Sequence, residues 1–558
     1  GYLNNSFTGS GKLDLTMQSG SKLYILEGKG TTMNLTAIDS MSAPGSLLTP
    51  NVEINSASVS DYIPLSMDKG TLVLDRSVNL DNSSDIYKRS EFTSVSVDVN
   101  SGTTLSGTQN GQIGIAQKNY SGTTGINEIK LDNAGVIDLS GSNSVGIAAD
   151  YGHVININKI RTTGSNSIGI VSANGTLTEN NGEVVIGGSD TAGIYGVNYL
   201  DGVTSSTVLG YGDDSININN NGKITSTGTD KVYGIYADNT AGAASSVILG
   251  SGSNIDLRTS NGAVGVYANN TNVTGGGTVT VGANGLGMYA KDSNVNLTGM
   301  TLNLYGNNAL GFYLDGTTNF SGSGNINVDG QNIALFNTNS SGSFANNFNV
   351  TSTAGSSYVV GNVNNGTFYY NGTANLGANG SLINGANSAV LLDTSSNITG
   401  TGSNIVGAVL NGQYTGTAPA GFTSAVDGEN RGSIVLGDNS AGLYGTNGAK
   451  LLNKGTINVG NSVLVYKSDG TVDYDNSGYA VGIYGDGSYI NNTGNITVGE
   501  NGIGLYTRNN PAAVVNKGNI TGTGKGAVGL FVDNGVVEND FGKTITMTGD
   551  DSIGMVAN

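Results

Sequence analysis

The chain has 558 residues, among them 90 glycines but no cysteine and no tryptophan; only 11% are charged and the formal net charge is −18. The absence of cysteine excludes a disulfide framework and thiolate metal sites. An acidic chain without a basic stripe is a poor partner for nucleic acid or an anionic membrane surface, and no apolar run reaches the 18 residues of a spanning helix.

In chain order, residues 1–110 hold strand-like runs such as Leu13-Asp14-Leu15-Thr16-Met17 and Thr71-Leu72-Val73-Leu74-Asp75, together with Pro44, Pro50 and Pro64. They read as a less regular β-helical segment with loops near 38–66 and 82–92. Residues 111–338 are regular. There a marker motif recurs: an apolar residue, Gly, an apolar residue, then Tyr, Ala or Phe, as in Ser144-Val145-Gly146-Ile147-Ala148 and Thr191-Ala192-Gly193-Ile194-Tyr195. Asn332-Ile333-Ala334-Leu335-Phe336 reads as the same motif with Ala in the Gly place. The marker glycines at 146, 169, 193, 234, 265, 287 and 311 are 23, 24, 41, 31, 22 and 24 residues apart. A unit of about 23 residues follows, and the longer gaps read as single units carrying insertions.

Residues 339–431 keep a degenerate marker at Ser388-Ala389-Val390-Leu391-Leu392 and a long loop at 411–430. Residues 432–558 are regular again, with marker glycines at 442, 482, 504, 529 and 554. The chain starts without Met or a signal peptide and stops inside a repeat, as expected of a piece of something longer.

Between markers lies a second cluster, Asn-x-Gly-x-Ile/Val-x-Val/Ile, as in Asn453-Lys454-Gly455-Thr456-Ile457-Asn458-Val459. Each unit therefore holds two or three strands of three to five residues, separated by Asn, Gly, Asp and Ser, which supply left-handed corner conformations. With no helical pattern between them, such strands cannot form βαβ units. Coiling one unit per rung pairs each strand with its equivalent one rung away and buries a continuous interior. The expected fold is all-β, a right-handed parallel β-helix (solenoid) of about 23-residue rungs with loop insertions.

The Gly-Ile-Tyr markers and the Asn-Lys-Gly-Thr/Asn-Ile signatures beginning at Asn453 and Asn516 resemble the passenger regions of large type V autotransporter adhesins, particularly fusobacterial ones. The resemblance covers most of the chain, but its motifs are structural. It implies a monomeric, non-enzymatic passenger displayed on the bacterial cell surface. It also implies anchoring to the outer membrane by a C-terminal β-barrel, absent here, and binding of a glycan or protein receptor on host cells or other bacteria. A spacer holding a distal binding tip is the alternative reading.

For sites, Tyr195, Tyr236, Tyr267, Tyr289, Tyr313, Tyr444, Tyr484, Tyr506 and Phe531 follow the markers, and alternation places Tyr195 outward together with Gly193. A ladder repeated everywhere is better explained as cross-rung packing than as a localised site. Insertions are the better binding candidates, because recognition sits on loops held by a rigid scaffold. Two combine aromatic and acidic groups: Tyr199, Asp201, Tyr211, Asp213 and Asp214 in one, Asp473, Tyr474 and Asp475 in the other. The run Asp473-Tyr474-Asp475-Asn476-Ser477-Gly478 has the opening of a calcium loop but carries Tyr484 at position twelve, where a Glu is required. No cofactor or metal is expected. His153, the one histidine, reads as an ordinary strand position, and Ser440 falls within a marker rather than a nucleophile loop. No segment concentrates paired carboxylates with a basic partner, so a carbohydrate-active enzyme is the least favoured reading.

Overall fold

The computed structural model describes residues 13–16, 23–36, 52–55, 62–118, 130–198, 215–228, 230–239, 244–417, 421–423, 425–473 and 475–558. The chain divides into two compact units, residues 1–272 and 273–558. Each is a parallel β-helix.

In the first unit a rung consists of three short strands. Val145–Asp150 carries the marker, His153–Asn156 follows after one corner, and Lys159–Thr162 after another. Every strand pairs in parallel with its equivalent one rung on: Ile147 lies opposite Ile170, Ile170 opposite Ile194, and Ile194 opposite Ile235. The 23-, 24- and 41-residue gaps are thus one rung each, the last carrying an insertion. Along the third strand Ile160 and Thr162 point inward while Lys159 and Arg161 stay outside, the period-2 pattern expected of a half-buried strand.

The marker strand departs from that alternation. Its ladder steps from the Ala192–Tyr233 pair to the Ile194–Ile235 pair and passes over the glycine. Gly193 faces the interior, not the solvent: a Cβ there would lie 2.6 Å from the Gly234 carbonyl oxygen and 2.6 Å from Ile224 Cγ2 of the third strand. Two consecutive residues, Gly193 and Ile194, therefore point inward before Tyr195 points out. The physical reason is volume. The third-strand isoleucine packs against bare backbone, a contact repeated between Gly146 and Ile160 and, in the second unit, between Gly442 and Ile457, Gly482 and Ile496, and Gly504 and Ile520.

The asparagine of the second cluster is also internal. Asn133, Asn156, Asn180 and Asn220 are almost fully buried, and each Nδ2 donates to the next Oδ1 at 2.8, 2.7 and 2.7 Å. In the second unit Asn430, Asn453, Asn492, Asn516 and Asn539 form the same ladder at 2.8, 2.8, 2.7 and 2.6 Å. A buried amide without a partner is costly, but rungs in register supply each one with the next.

A one-turn helix, Ile86–Arg89, precedes the first described marker strand, Ile113–Lys118. Asp85 caps it by accepting from the Tyr87 amide at 2.9 Å and pairs with Arg76 at 3.0 Å. The Tyr87 hydroxyl donates to the Gly114 carbonyl at 2.8 Å. Later marker carbonyls point back at the preceding glycine, so Tyr87 supplies a partner where that ladder begins.

Two markers of the second unit sit in a different register from the one expected. Leu310 pairs with Ala334 and Phe312 with Phe336, which puts Leu335, not Ala334, in the glycine position. Likewise Ala389–Leu392 pairs with Thr367–Tyr370 and with Gly428–Asn430, so it is a second strand. The marker strands of this stretch are Tyr358–Asn364, Ser381–Ala386 and Val406–Asn411. Aromatic packing accounts for the first shift. Phe312 stacks on Phe336 at 4.9 Å, Phe320 on Phe344 at 5.1 Å and Phe344 on Phe368 at 4.5 Å. Gly361, in register with Phe336, leaves room for the Phe368 ring, which a Cβ would meet at 2.7 Å.

Gly482→Ala would place its Cβ 2.4 Å from both the Gly504 oxygen and Ile496 Cγ2, an overpacking expected to cost about 1–3 kcal/mol. Thermal unfolding should show a clear drop in midpoint for this variant and little change for Gly535→Ala, whose nearest neighbour is 3.4 Å away. Asn453→Ala leaves a donor and an acceptor unpaired in the buried ladder. At about 1–3 kcal/mol for each orphaned group, amide hydrogen exchange should accelerate in the two flanking rungs.

Candidate functional site

Insertions leave the coil at its corners, because a corner can lengthen without breaking strand register. Residues 119–129 and 199–214 follow marker strands in sequence and lie outside the described residues, whereas the 412–427 segment of the second unit is described in part. Tyr199, Asp201, Tyr211, Asp213 and Asp214 lie outside the described residues, as does Tyr474.

The described residues 412–417, 421–423 and 425–427 belong to a strap between Val406–Asn411 and Gly428–Asn430. It crosses an outward column in which Leu391, Glu429 and Leu452 stand in register and are all buried. Two-sided burial of this kind gives Ala389–Leu392 its continuous apolar run, the feature that imitates a marker. Asp427 anchors one end by accepting from the Tyr414 amide at 2.8 Å and the Lys450 amide at 2.7 Å.

Glu429 anchors the other end. Its side chain is only 2% exposed; it accepts from Arg431 Nε at 2.7 Å, from the Thr423 amide at 3.1 Å, and pairs with Lys454 Nζ at 2.7 Å. Arg431 also donates to the Gly421 carbonyl at 2.7 Å and lies 3.6 Å from Asp393, which accepts from the Tyr369 hydroxyl at 2.8 Å. Folding thus assembles, from three rungs, a group of carboxylates with cationic partners that no single sequence segment shows. The cluster is closed to solvent at Glu429 and its donors reach into the strap, so it acts as a clamp. Burial raises the Glu429 pKa, but hydrogen bonds from Arg431, Lys454 and Thr423 outweigh that effect and hold the carboxyl at about 2.

Residues 461–479 leave the opposite corner, between Thr456–Val459 and Val481–Asp486. They form a hairpin closed by the antiparallel Tyr466–Val472 bridge, with Lys467 N donating to Thr471 O at 2.8 Å. Val463, Val465 and Tyr466 are 50%, 40% and 61% exposed along it. Asp473 uses Oδ2 to accept from Asn476 at 2.8 Å within its own turn, and Asp475 is exposed. Among the described residues, no three His, Cys, Asp or Glu side chains converge as a metal site.

The marker tyrosines stack on one another. Tyr195, Tyr236 and Tyr267 are 4.9 and 4.5 Å apart in the first unit; Tyr444, Tyr484, Tyr506 and Phe531 are 4.5, 5.1 and 5.0 Å apart in the second. All are near parallel, so the ring faces between them are covered.

Tyr489 stands outside these ladders. Where four successive corners stack in the second unit, Gln413, Asn447, Asp486, Tyr489 and Pro511 line a cleft of about 620 Å³. Its floor is backbone: Gly448 N donates to Gly487 O at 2.8 Å and Gly487 N to Arg508 O at 2.8 Å. Left-handed conformations at Asn447, Gly448, Gly487 and Asn509 (φ 53°, 84°, 58° and 51°) turn the chain through these corners. Asp486 Oδ1 accepts from Asn509 Nδ2 at 3.1 Å, and the Lys450 ammonium lies 5.9 Å from the Tyr489 ring centre.

No protein-family model, curated protein or solved structure matches this chain.

Of the residues weighed for catalysis, His153 is buried on its strand with Nε2 3.5 Å from Glu179 Oε2. Ser440 is fully buried in a corner, where its hydroxyl donates to Asp438 O at 3.0 Å and accepts from Ile405 N at 3.1 Å.

A carboxyl held below its ordinary 4.5 stabilises the fold fully above that pH and loses the contribution as pH falls toward 2. For Glu429 this amounts to about 3 kcal/mol. Acidification through that window should open the strap before the rungs unfold, read as protease cleavage within 412–427. Glu429→Gln should open it at neutral pH, with faster hydrogen exchange at the Tyr414 and Thr423 amides.

Proposed function

We propose that the chain is part of the extracellular passenger of a bacterial autotransporter-type adhesin. In this reading a β-helical scaffold presents corner insertions to a receptor on host cells or other bacteria, and an outer-membrane barrel beyond this sequence anchors it. The observation that carries it is the division of labour between strands and corners. Rung residues are absorbed in glycine, asparagine and tyrosine ladders, whereas insertions of up to about 20 residues leave the corners without disturbing register.

The strap supports the same reading. A buried ion cluster that fixes one inserted loop against the coil preorganises that surface, which lowers the ordering cost of binding.

The purified 558-residue chain should bind epithelial cells, lymphoid cells or partner bacteria in flow cytometry. Replacing 462–478 or 199–214 by a short Gly-Ser turn should leave the β-sheet circular dichroism spectrum unchanged, and one of the two replacements should reduce binding at least tenfold. A chain that binds none of these cells would be a spacer.

A further inference from the structure

The cleft at the stacked corners has the composition of a saccharide subsite. Tyr489 and Pro511 supply exposed ring surface, while Gln413, Asn447 and Asp486 supply amide donors and acceptors and one carboxylate. A pyranose has that same duality, an apolar C–H face and a rim of hydroxyls that both donate and accept. A ring to stack on, with convergent amide and carboxylate groups at its edge, reads it at both ends. Deep burial is not needed, because hydroxyls left at the mouth remain hydrated.

Tyr489 is unlike the ladder tyrosines. Its register neighbour on the preceding rung is Lys450, so no aromatic ring stacks there. The ring is 36% exposed and borders the cleft, whereas Tyr236 and Tyr484 have aromatic neighbours on both sides. Gln413, Asn447 and Pro511 are likewise exposed, so these side chains contribute little to the core. The volume, about 620 Å³, falls within the range of ordinary ligand pockets.

Charge narrows the class. The only ionisable groups lining the cleft are Asp486 and Tyr489, and the chain as a whole carries −18. Lys450 is drawn over the Tyr489 ring, and Arg508, in register with Asp486, is drawn toward Asp533 at 3.6 Å. Sialylated, uronic or sulfated sugars would meet a carboxylate inside a negative field. We propose that this corner cleft binds an uncharged oligosaccharide, with Tyr489 as its stacking platform and Asp486 as a hydroxyl acceptor. The assignment rests on the adhesin reading above and adds to its inserted loops a further surface with one ligand class.

The test applies the full chain to an array of immobilised oligosaccharides ending in neutral hexoses, N-acetylhexosamines or acidic sugars, in parallel with the cell-binding assay. The expected result is binding to a subset of neutral glycans, reduced at least tenfold by Tyr489→Ala and by Asp486→Asn, retained by Tyr489→Phe, and weakened by Gln413→Ala. Thermal unfolding should match wild type for the exposed-residue variants Tyr489→Ala and Gln413→Ala. Glycan binding that survives both Tyr489→Ala and Gln413→Ala would overturn the cleft as the site. Preference for acidic glycans, or binding to cells with none to the array, would overturn the ligand class and leave the adhesin reading standing. Binding to neither would overturn both.

Discussion

The contact on which the coil depends is made by an atom that is missing. At Gly146, Gly169, Gly193, Gly234, Gly442, Gly482, Gly504 and Gly529 the backbone faces inward, and the methyl of a third-strand isoleucine or valine rests against it, 2.4–2.6 Å from the place a Cβ would occupy. Marker and third strands could not approach this closely if either carried another side chain at that point. Because the same backbone also lies under the carbonyl of the next marker glycine, the requirement passes from rung to rung. A single rung buries little by itself, and stability comes from neighbours holding one another in register.

Register then makes buried polar groups tolerable. An isolated asparagine in the interior would be destabilising, yet a column of them at rung spacing satisfies each amide with the next. Tyrosine rings outside do the equivalent with their faces. What repeats is thereby consumed internally, and what departs from the repeat is available for something else. That criterion separates Tyr489 from Tyr484 although both lie on the same rung.

The period and the meaning of the 40- and 41-residue gaps were legible in the sequence, since glycine spacing reports them directly; the short clusters left two or three strands per rung, and the structure has three. The direction of Gly193 was not, because strict alternation assumes a strand without a break and the ladder skips this residue. Two markers between 332 and 392 were misplaced for related reasons. Phenylalanines there replace the isoleucine–glycine contact, and the strap buries both faces of Ala389–Leu392. The Glu429 clamp was invisible because Asp393 and Lys454 join Glu429 and Arg431 only once rungs are set in register. The cleft was missed for the same reason: Gln413, Asn447, Asp486 and Pro511 span about a hundred residues of sequence and share nothing but a corner.

A solenoid faces a particular difficulty in recognition. Any surface that repeats binds everywhere weakly, so specificity requires a local break in symmetry. Inserted loops provide one kind, at the cost of ordering the loop, which the buried ions beneath the strap offset here. A second kind needs no insertion. Replacing a few corner residues by an aromatic, a proline and an acid leaves the ladders intact and marks one rung among many. The cleft beside the strap combines both, since Gln413 comes from the insertion and Tyr489 from a substitution within the repeat. A binding surface built this way can change between related chains without altering the rung, because none of its side chains takes part in the contact that holds the coil together.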